Sequence, residues 1–307
     1  MCFFLVTRGS LWAPRGIGKA IVEELACLGA KVLTCSRTED GVTACITGCL
    51  CVVLRDLSSR AFAVVLCLWL QQEWRAKGLE VYGIAVDVTT AEGRQELYSA
   101  AEERFDGALD ILVNNVGRSI RKSSTFDYTP EEFETIIDTN FSTVLSLTKA
   151  RLYVFTLICL GRFASLIPCS VFLFHPLLKA AAAAEGARAK GGSSVVNISS
   201  IAGVIAVKTG AAYAASKAAI NRLTINWGCE WAKDGIRVNA VAPGATNTPS
   251  TESVPRSTEL MDRIPMGRWA EPHEISGQVA FLCMKGASYI TSQVICVDGG
   301  WASNGWM

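Results

Sequence analysis

The chain has 307 residues, of which half are hydrophobic, and its formal net charge at pH 7 is +1. This length provides a core for one large α/β domain or two small ones. The near-zero charge argues against a nucleic-acid partner, because no excess of basic residues is available to neutralise phosphates. The apolar start MCFFLV has no charged region before it and leads directly into a glycine turn, so we predict no signal peptide. We expect a cytoplasmic protein whose twelve cysteines are reduced.

Strand-like and helix-like segments alternate along the chain, which is typical of a parallel sheet covered by helices on both faces. The predicted strands are Phe3–Thr7, Lys31–Ser36, Val81–Asp87, Ile111–Asn114, Ser194–Ser199, Arg237–Ala242 and Gln293–Val297. The predicted helices are Gly16–Leu28, Pro130–Asn140, Ala211–Lys233 and Glu271–Met284. The sequence therefore predicts an α/β fold, a single doubly wound (Rossmann-type) parallel sheet flanked by helices on both faces, with residues 1–307 in one domain.

The start of the predicted helix Pro130–Asn140 can be identified from its capping residues. Thr129 is expected at the N-cap and Pro130 at the first helical position, and Glu132 would complete a capping box.

Two atypical insertions interrupt the alternation, at residues 41–70 and 151–174. Neither has a helical or strand period, and neither has charges spaced to solvate one face. The second approaches the length of a membrane span, but Arg162 lies near its middle and Pro168 interrupts it. A span there would also place the two halves of one sheet on opposite sides of a membrane. We therefore expect no membrane insertion, and a membrane-tethered protein remains an alternative.

A metal site is not expected. Cys45, Cys49 and Cys51 lie close together, but the two histidines, His175 and His273, are far from them in sequence, and no Cys-x-x-Cys pair occurs.

The segment NISSIAGVIAVKTGAAYAASK contains the candidate catalytic residues. Tyr213 and Lys217 are four residues apart in a helical segment, so their side chains share one face. An ammonium beside the phenol would lower the tyrosine pKa from its usual value near 10 and make the hydroxyl a usable proton donor. Ser200, at the end of a predicted strand, could hydrogen-bond a carbonyl oxygen or the alkoxide formed from it. Each residue alone would more often be structural; their combination with a nucleotide-binding pattern upstream indicates a reaction site.

The chain resembles the short-chain dehydrogenase/reductase family, and most closely its plant tropinone-reductase-like branch. The resemblance is carried by RGIGKAIVEELACLGAKVLTCSR, DILVNNVG, TNFSTVLSLTKA, HPLLKA, NISSIAG, YAASK, CEWAKDGIRVNAVAPG and YITSQVICVDGG. It implies reversible hydride transfer between a nicotinamide coenzyme and a carbonyl or secondary alcohol. Tyr213 would be the acid/base, Lys217 would tune it and contact the ribose, Ser200 would orient the carbonyl, and Asn140 would hold a water that links Lys217 to solvent.

The resemblance also implies a coenzyme site at the ends of the predicted strands. Asp87 would contact adenine, and Val116 stands where the family usually has alanine, which could crowd the adenosine side. The implied cofactor-binding residues are Thr7, Gly9, Arg15, Gly16, Ile17, Gly18, Ser36, Arg37, Asp87, Val88, Asn114, Val116, Gly117, Tyr213, Lys217, Pro243, Gly244, Thr246 and Thr248.

The residues at the end of the second strand predict which coenzyme binds. An NAD-binding protein normally has an acidic residue there to accept hydrogen bonds from the ribose 2′-hydroxyl. This chain has Ser36 and Arg37, and Arg15 precedes the glycine turn. Two guanidinium groups suit a 2′-phosphate, so we predict NADP(H).

The chain departs from the family at three places. The family's first turn reads Thr-Gly-x-x-x-Gly-x-Gly, whereas here Arg8 follows Thr7 and four extra residues precede Gly16. Gly9 would have to replace the first glycine, with LWAP looping outward. The insertions at 41–70 and 151–174 are the other two departures. Clean family sequence resumes on either side of each, so our hypothesis is that both are translated non-coding sequence from retained introns or an erroneous gene model. Genuine lineage-specific loops are the alternative.

Three functions are therefore compatible with the sequence. The first is an NADP(H)-dependent reductase of a small, mostly apolar ketone. In this reading residues 245–268 resemble the family's variable substrate lid. The second is a catalytically impaired or non-catalytic protein of the same fold, and the third is a membrane-tethered reductase. The family implies a homodimer or homotetramer.

Overall fold

The computed structural model describes residues 2–8, 16–36, 73–122, 124–148, 174–184, 186–187 and 191–304; of Cys2–Arg8 and Ser36 it describes the backbone only. Its centre is a seven-stranded parallel sheet with the strand order β3-β2-β1-β4-β5-β6-β7. The strands are β1 (Cys2–Arg8), β2 (Lys31–Ser36), β3 (Val81–Ala85), β4 (Ile111–Val116), β5 (Ser193–Ile198), β6 (Ile236–Pro243) and β7 (Val294–Val297). Every predicted strand is present, with boundaries within two residues, and the predicted α/β class and doubly wound sheet are confirmed.

The helices cover both faces of this sheet. Among the described residues, the helices with both ends defined are α1 (Gly16–Cys27), α2 (Ala91–Arg104), α3 (Pro130–Ile137), α4 (Thr143–Thr148), α5 (His175–Ala183), α6 (Ala211–Glu230), α7 (Thr258–Asp262) and α8 (Pro272–Cys283). One core packs under α2, α4, α5 and α6, and a second packs under α1 and α8. Because both faces are covered, the strands have almost continuous apolar sequences.

Helix α3 begins as predicted and ends differently. Thr129 caps it, Pro130 is at its first position, and the Glu132 side chain completes the capping box. The predicted helix ran to Asn140, whereas α3 ends at Ile137 and one π-helical turn, Asp138–Ser142, leads into α4. Such a turn inserts one extra residue into a helix and is often found at functional sites.

Helices α4 and α5 meet end to end although the chain between them is long. The backbone N–H of Phe174 donates to the carbonyl of Leu147 at 3.1 Å, and both side chains are fully buried. If residues 151–173 were taken out, Phe174 would stand four residues after Leu147, the spacing of an α-helical hydrogen bond. Helices α4 and α5 are thus hydrogen-bonded like consecutive turns of one helix. This arrangement is what an insertion at 151–174 would produce.

A buried polar network ties the centre of the sheet to two helices. Asn114 and Asn197 are paired residues of β4 and β5, and the Asn114 amide donates to Asn197 Oδ1 at 2.8 Å. Asn114 also donates to Thr148 on α4, and Asn197 donates to Thr224 on α6. All four side chains are buried, and the two threonine hydroxyls donate in turn to backbone carbonyls of their own helices, so these donors are satisfied inside the protein.

The order of the strands fixes where a ligand can bind. The chain runs outward from β1 through β2 to β3 and then returns to β4 on the other side of β1. In such sheets the crevice opens beyond the carboxyl ends of the two strands where the direction reverses, here β1 and β4.

Within the described ranges, no helix is both long and apolar enough to span a membrane. Nor does the described part of the chain group three or more His, Cys, Asp or Glu side chains in a way that could hold a metal ion. Cys45, Cys49, Cys51 and both insertions, Phe174 excepted, lie outside the described residues.

Candidate active site

Two glycines keep the crevice beyond β1 and β4 open. Gly16 begins α1 with a φ of +61°, and a Cβ atom on it would lie 3.2 Å from Thr248 Cγ2. Gly117 follows β4, and a Cβ atom on it would lie 3.2 Å from Lys217 Nζ. A side chain on Gly16 would meet the loop after β6, and one on Gly117 would meet Lys217 on α6. The backbone N–H groups at the start of a helix suit a phosphate, and α1 begins at this crevice. These residues therefore fit a dinucleotide coenzyme.

Three of the four predicted catalytic residues lie together beside this crevice. Ser200 follows β5 and caps a short 3₁₀ turn, with its Oγ accepting from the Ala202 N–H at 3.1 Å. The Ser200 hydroxyl is also hydrogen-bonded to the half-buried Tyr213 on α6. Lys217, one turn further along α6, has its Nζ 5.8 Å from the centroid of the Tyr213 ring. The predicted shared face is confirmed.

Lys217 is almost completely buried and is held by backbone groups. Its Nζ donates to the carbonyl of Ile198 at 2.9 Å and to that of Val116 at 3.2 Å. These are the last residues of β5 and β4, so the ammonium joins two strand ends. Burial lowers the Lys217 pKa to about 8 because the charged form loses hydration. Lys217 is thus largely protonated at neutral pH and titrates just above it.

The expectation for the Tyr213 pKa was wrong for this structure. Burial raises the Tyr213 pKa, while the hydrogen bond from Ser200 and the positive charge of Arg121 lower it in part. Lys217 was expected to provide the lowering, but its Nζ is directed at the carbonyls of Val116 and Ile198. The Tyr213 pKa is therefore determined by burial, by the hydrogen bond from Ser200 and by the charge of Arg121.

Asn140 lies in the π-helical turn and holds the loop that follows β4. Its Oδ1 accepts from the Arg118 N–H at 2.7 Å, and its Nδ2 donates to the Arg118 carbonyl and to Ser216 Oγ, each at 2.9 Å. Both amide hydrogens are therefore used within the protein. That Asn140 holds a water stays a prediction.

Ser216 is a site residue that the sequence reasoning missed. It is buried, donates to the carbonyl of Tyr213 at 2.7 Å and accepts from Asn140. It thereby links the π-helical turn to the helix that carries Tyr213 and Lys217. Its position between these two residues in YAASK was the available signal.

The structure changes the interpretation of Val116. Its side chain is 1% exposed and belongs to the core beneath α4 and α6. It therefore does not crowd a coenzyme, and the part of Val116 that faces the site is its carbonyl, which accepts from Lys217. Asn114, two residues earlier, is likewise buried and belongs to the polar network inside the sheet.

The other predicted coenzyme residues after β1 and β3 fall into two groups. Ile17 and Gly18 lie in the first turn of α1, where Gly18 is buried and Ile17 packs against the core under α8. The Asp87 carboxylate accepts from the N–H and hydroxyl of Thr89 at 2.9 and 2.6 Å, and Val88 is buried in the core. The contact of Asp87 with adenine stays a prediction.

The loop after β6 is held by its own hydroxyl groups. Gly244 follows Pro243 and packs so tightly against Asp298 that a Cβ atom on it would lie 2.7 Å from Asp298 Cα. Thr246 is buried and donates to the Gly244 carbonyl at 3.2 Å. Thr248 faces Gly16 across the crevice, and its contact with a coenzyme stays a prediction.

Part of the predicted coenzyme site lies outside the described residues. This applies to Gly9, Arg15 and Arg37 entirely, and to the side chains of Thr7 and Ser36.

Comparison with known proteins gives the family that the sequence motifs resemble. A family model described as short chain dehydrogenase matches residues 63–157, and one described as Enoyl-(Acyl carrier protein) reductase matches residues 158–302. A tropinone reductase homolog of Datura stramonium is 40% identical over 99% of this chain and 92% of its own length. The chain belongs to the short-chain dehydrogenase/reductase family, in its tropinone-reductase-like branch.

Solved structures of short-chain dehydrogenase/reductases have the same fold. An actinorhodin polyketide ketoreductase variant, solved with NADPH, is 28% identical with a TM-score of 0.68, over 98% of this chain and 97% of its own. The 3-ketoacyl-(acyl-carrier-protein) reductase of Brucella melitensis, complexed with NADH, is 26% identical with a TM-score of 0.69, over 98% of both chains.

Proposed function

We propose that the chain is an NADP(H)-dependent oxidoreductase that interconverts a small, mostly apolar ketone and its secondary alcohol. The observation that supports this most is the placement of Ser200, Tyr213 and Lys217 beside the crevice that Gly16 and Gly117 keep open. Membership of a dehydrogenase/reductase family points to the same reaction type.

The protein's part in ketone reduction takes place at the carbonyl oxygen. A nicotinamide coenzyme held beside Gly16 and Gly117 would supply the hydride for the carbonyl carbon. Ser200 donates a hydrogen bond to the oxygen, and the Tyr213 hydroxyl transfers its proton to it, so that the product is a neutral secondary alcohol. The Ser200 hydroxyl, which lowers the Tyr213 pKa, favours the phenolate that remains until a solvent proton replaces the one transferred. Lys217, fixed at the ends of β4 and β5, would contact the coenzyme ribose. Alcohol oxidation is the reverse.

The choice of NADP(H) rests on the residues at the end of β2. Ser36 and Arg37 stand where an NAD-binding protein normally has the acidic residue that accepts hydrogen bonds from the ribose, and Arg15 precedes α1. The two structural relatives were solved with NADPH and with NADH, so the family alone does not decide the choice. We expect Arg37→Asp to reduce the preference for NADPH over NADH, with Kd values for both coenzymes measured by titration.

Substitution of the proposed acid/base tests the activity. Tyr213→Phe should lower kcat for ketone reduction by roughly 10²-fold or more while NADPH binding persists. Tyr98→Phe is the control, since Tyr98 bonds to Glu102 on α2, away from the crevice. Equal activity of the two variants would overturn the assignment.

The altered first turn supports a second candidate. Because Arg8 stands where the family has glycine, the chain could keep the fold and lack tight coenzyme binding. NADPH titration of the purified chain separates the two, since absent binding favours a non-catalytic protein.

Assembly and location are proposed from the family and the composition. We expect a cytoplasmic homodimer or homotetramer with a small-molecule substrate and no nucleic-acid partner. Light scattering during size exclusion measures the assembly.

A further inference from the structure

Arg121 lies in a loop that is fixed against the helix carrying Tyr213. This loop, residues 117–122, follows β4. Tyr128 anchors it by donating from its hydroxyl to the Ile120 carbonyl at 2.6 Å. Gly210, immediately before α6, lies against this bond: a Cβ atom on it would be 3.5 Å from the Ile120 carbonyl and would overlap the Tyr128 hydroxyl. Arg121 is therefore held at the rim of the site, close to Tyr213.

The second anchor of the loop comes from the active site itself. Asn140 makes two hydrogen bonds to the backbone of Arg118, three residues before Arg121. The segment thus has fixed points on both sides of Ser119. An arginine on such a segment starts from a restricted backbone, which reduces the entropy lost when it binds a ligand.

The charges around Arg121 leave its guanidinium available. Residues 118–122 contain three cations and no acid. Lys122 is neutralised by Glu132 at 2.9 Å, and the Asp127 carboxylate accepts from the Ser124 N–H. Arg121 is exposed, and among the described residues no carboxylate pairs with it. Its charge nevertheless reaches the reaction site, since it is one of the groups that lower the Tyr213 pKa.

We propose that Arg121 is a specificity-determining residue that selects ketones bearing a carboxylate and disfavours ketones bearing an ammonium group. This inference rests on the proposed reductase function and narrows its substrate class. A guanidinium offers a planar pair of N–H donors that matches a carboxylate. A cationic rim also raises the local concentration of anions and repels cations. The carbonyl would lie at Ser200 and Tyr213 while the carboxylate, on the far side of a small ring, reaches Arg121.

The test compares three ring ketones of similar size: cyclohexanone, 4-oxocyclohexanecarboxylate and the cation of 1-methyl-4-piperidone. Arg121→Gln should lower kcat/KM for the carboxylate about tenfold more than for cyclohexanone, and raise it for the cation relative to cyclohexanone. Uncharged cyclohexanone reports the effect of the lost positive charge on Tyr213, which all three ketones share. Arg121→Lys should keep part of the preference, because the charge remains without the planar pair. In the wild type the preference should decline as ionic strength rises. Arg222→Gln, which alters an exposed arginine further along α6, is the control.

The outcomes separate this inference from the proposed function. An equal loss for all three ketones, or no change in Arg121→Gln, overturns the role of Arg121. If the wild type reduces none of them, the proposed function fails for these ketones. Arg121 is then tested by titrating the same variants with cyclohexanecarboxylate, which cannot be reduced. Weaker binding by Arg121→Gln than by Arg222→Gln supports anion recognition, and equal binding contradicts it.

Discussion

Gly117 faces Lys217 so closely that a Cβ atom on the glycine would lie 3.2 Å from the lysine Nζ. That Nζ is fixed by the carbonyls of Val116 and Ile198. The strand end after β4 thus has room for the lysine and a ligand only while residue 117 has no side chain.

Substitution of this glycine should weaken coenzyme binding. In Gly117→Ala, the new methyl group would displace Lys217 Nζ and narrow the crevice. We therefore expect the Kd for NADPH to rise about tenfold. Titration of NADPH by fluorescence measures it. Gly277→Ala on α8 is the matched control, since a Cβ atom there meets nothing within 4 Å. An unchanged Kd in Gly117→Ala would mean that this space is not the coenzyme site.

The burial of Lys217 predicts a pH-dependent term in stability. Its pKa is about 8 in the folded protein and 10.5 for an ordinary lysine, so between these values the unfolded chain binds one more proton than the native one. The cost of burying the charge is therefore present below pH 8 and is relieved as the pH rises toward 10.5. The free energy of unfolding should gain about 1.4 kcal/mol per pH unit there from this group.

Comparison with Lys217→Met isolates that term. The variant lacks the titrating group, so its unfolding free energy relative to the wild type should fall steadily from pH 8 upward in urea titrations. Burial raises the pKa of Cys283 to about 12, so this thiol has the opposite effect above pH 9, but both proteins contain it and the difference removes it. A constant difference across this range would contradict the lowered pKa.

Substitution of Val116 distinguishes the two interpretations of its side chain, which are crowding of the coenzyme and burial in the core. If it crowded the coenzyme, Val116→Ala would tighten NADPH binding. Because it is buried in the core, we instead expect a loss of about 1–3 kcal/mol in the free energy of unfolding and no gain in affinity. Val204→Ala, at a site that is 48% exposed, should change stability much less. Chemical denaturation and NADPH titration provide the two readouts.

The junction of α4 and α5 predicts that the second insertion can be removed. Deletion of residues 151–173 would place Phe174 one helical turn after Leu147, with a bend at Pro176, which has no N–H. Since the two ends of a long stretch of chain would no longer have to be brought together, the free energy of unfolding should rise by about 2–3 kcal/mol.

A deletion longer by one residue is the control for this prediction. Removing 151–174, the boundary that the family resemblance implies, also removes the buried Phe174 and turns α5 by about 100° relative to α4. The structure predicts that this variant is the less stable of the two. The reverse order would favour the family boundary. Sequencing mature transcripts tests the separate hypothesis that the segment is non-coding.

Local sequence was sufficient to predict most of the framework. The strand positions, the capping box of α3 and the shared face of Tyr213 and Lys217 depend on neighbours in sequence, and the structure has them all. The π-helical turn at Asp138–Ser142 was not predictable in this way, since the bonds of Asn140 to Arg118 and Ser216 join distant parts of the chain.

Other features could not be predicted from the sequence because they depend on burial. Strand β4 is covered on both faces, so its apolar residues show no alternation that would tell which way Val116 points. The Tyr213 pKa depends on the whole environment of the phenol, including an arginine from a loop with no periodic signal.

The amide pair in the sheet has a consequence for folding. Asn114 and Asn197 can bond each other and reach Thr148 and Thr224 only when β4 and β5 pair in the native alignment. A slip of one residue would turn an amide to the opposite face, into the aliphatic core under α1 and α8. An unpaired amide there is costly, so these two side chains select the correct partner for each strand and reject near neighbours that hydrophobic packing alone would tolerate.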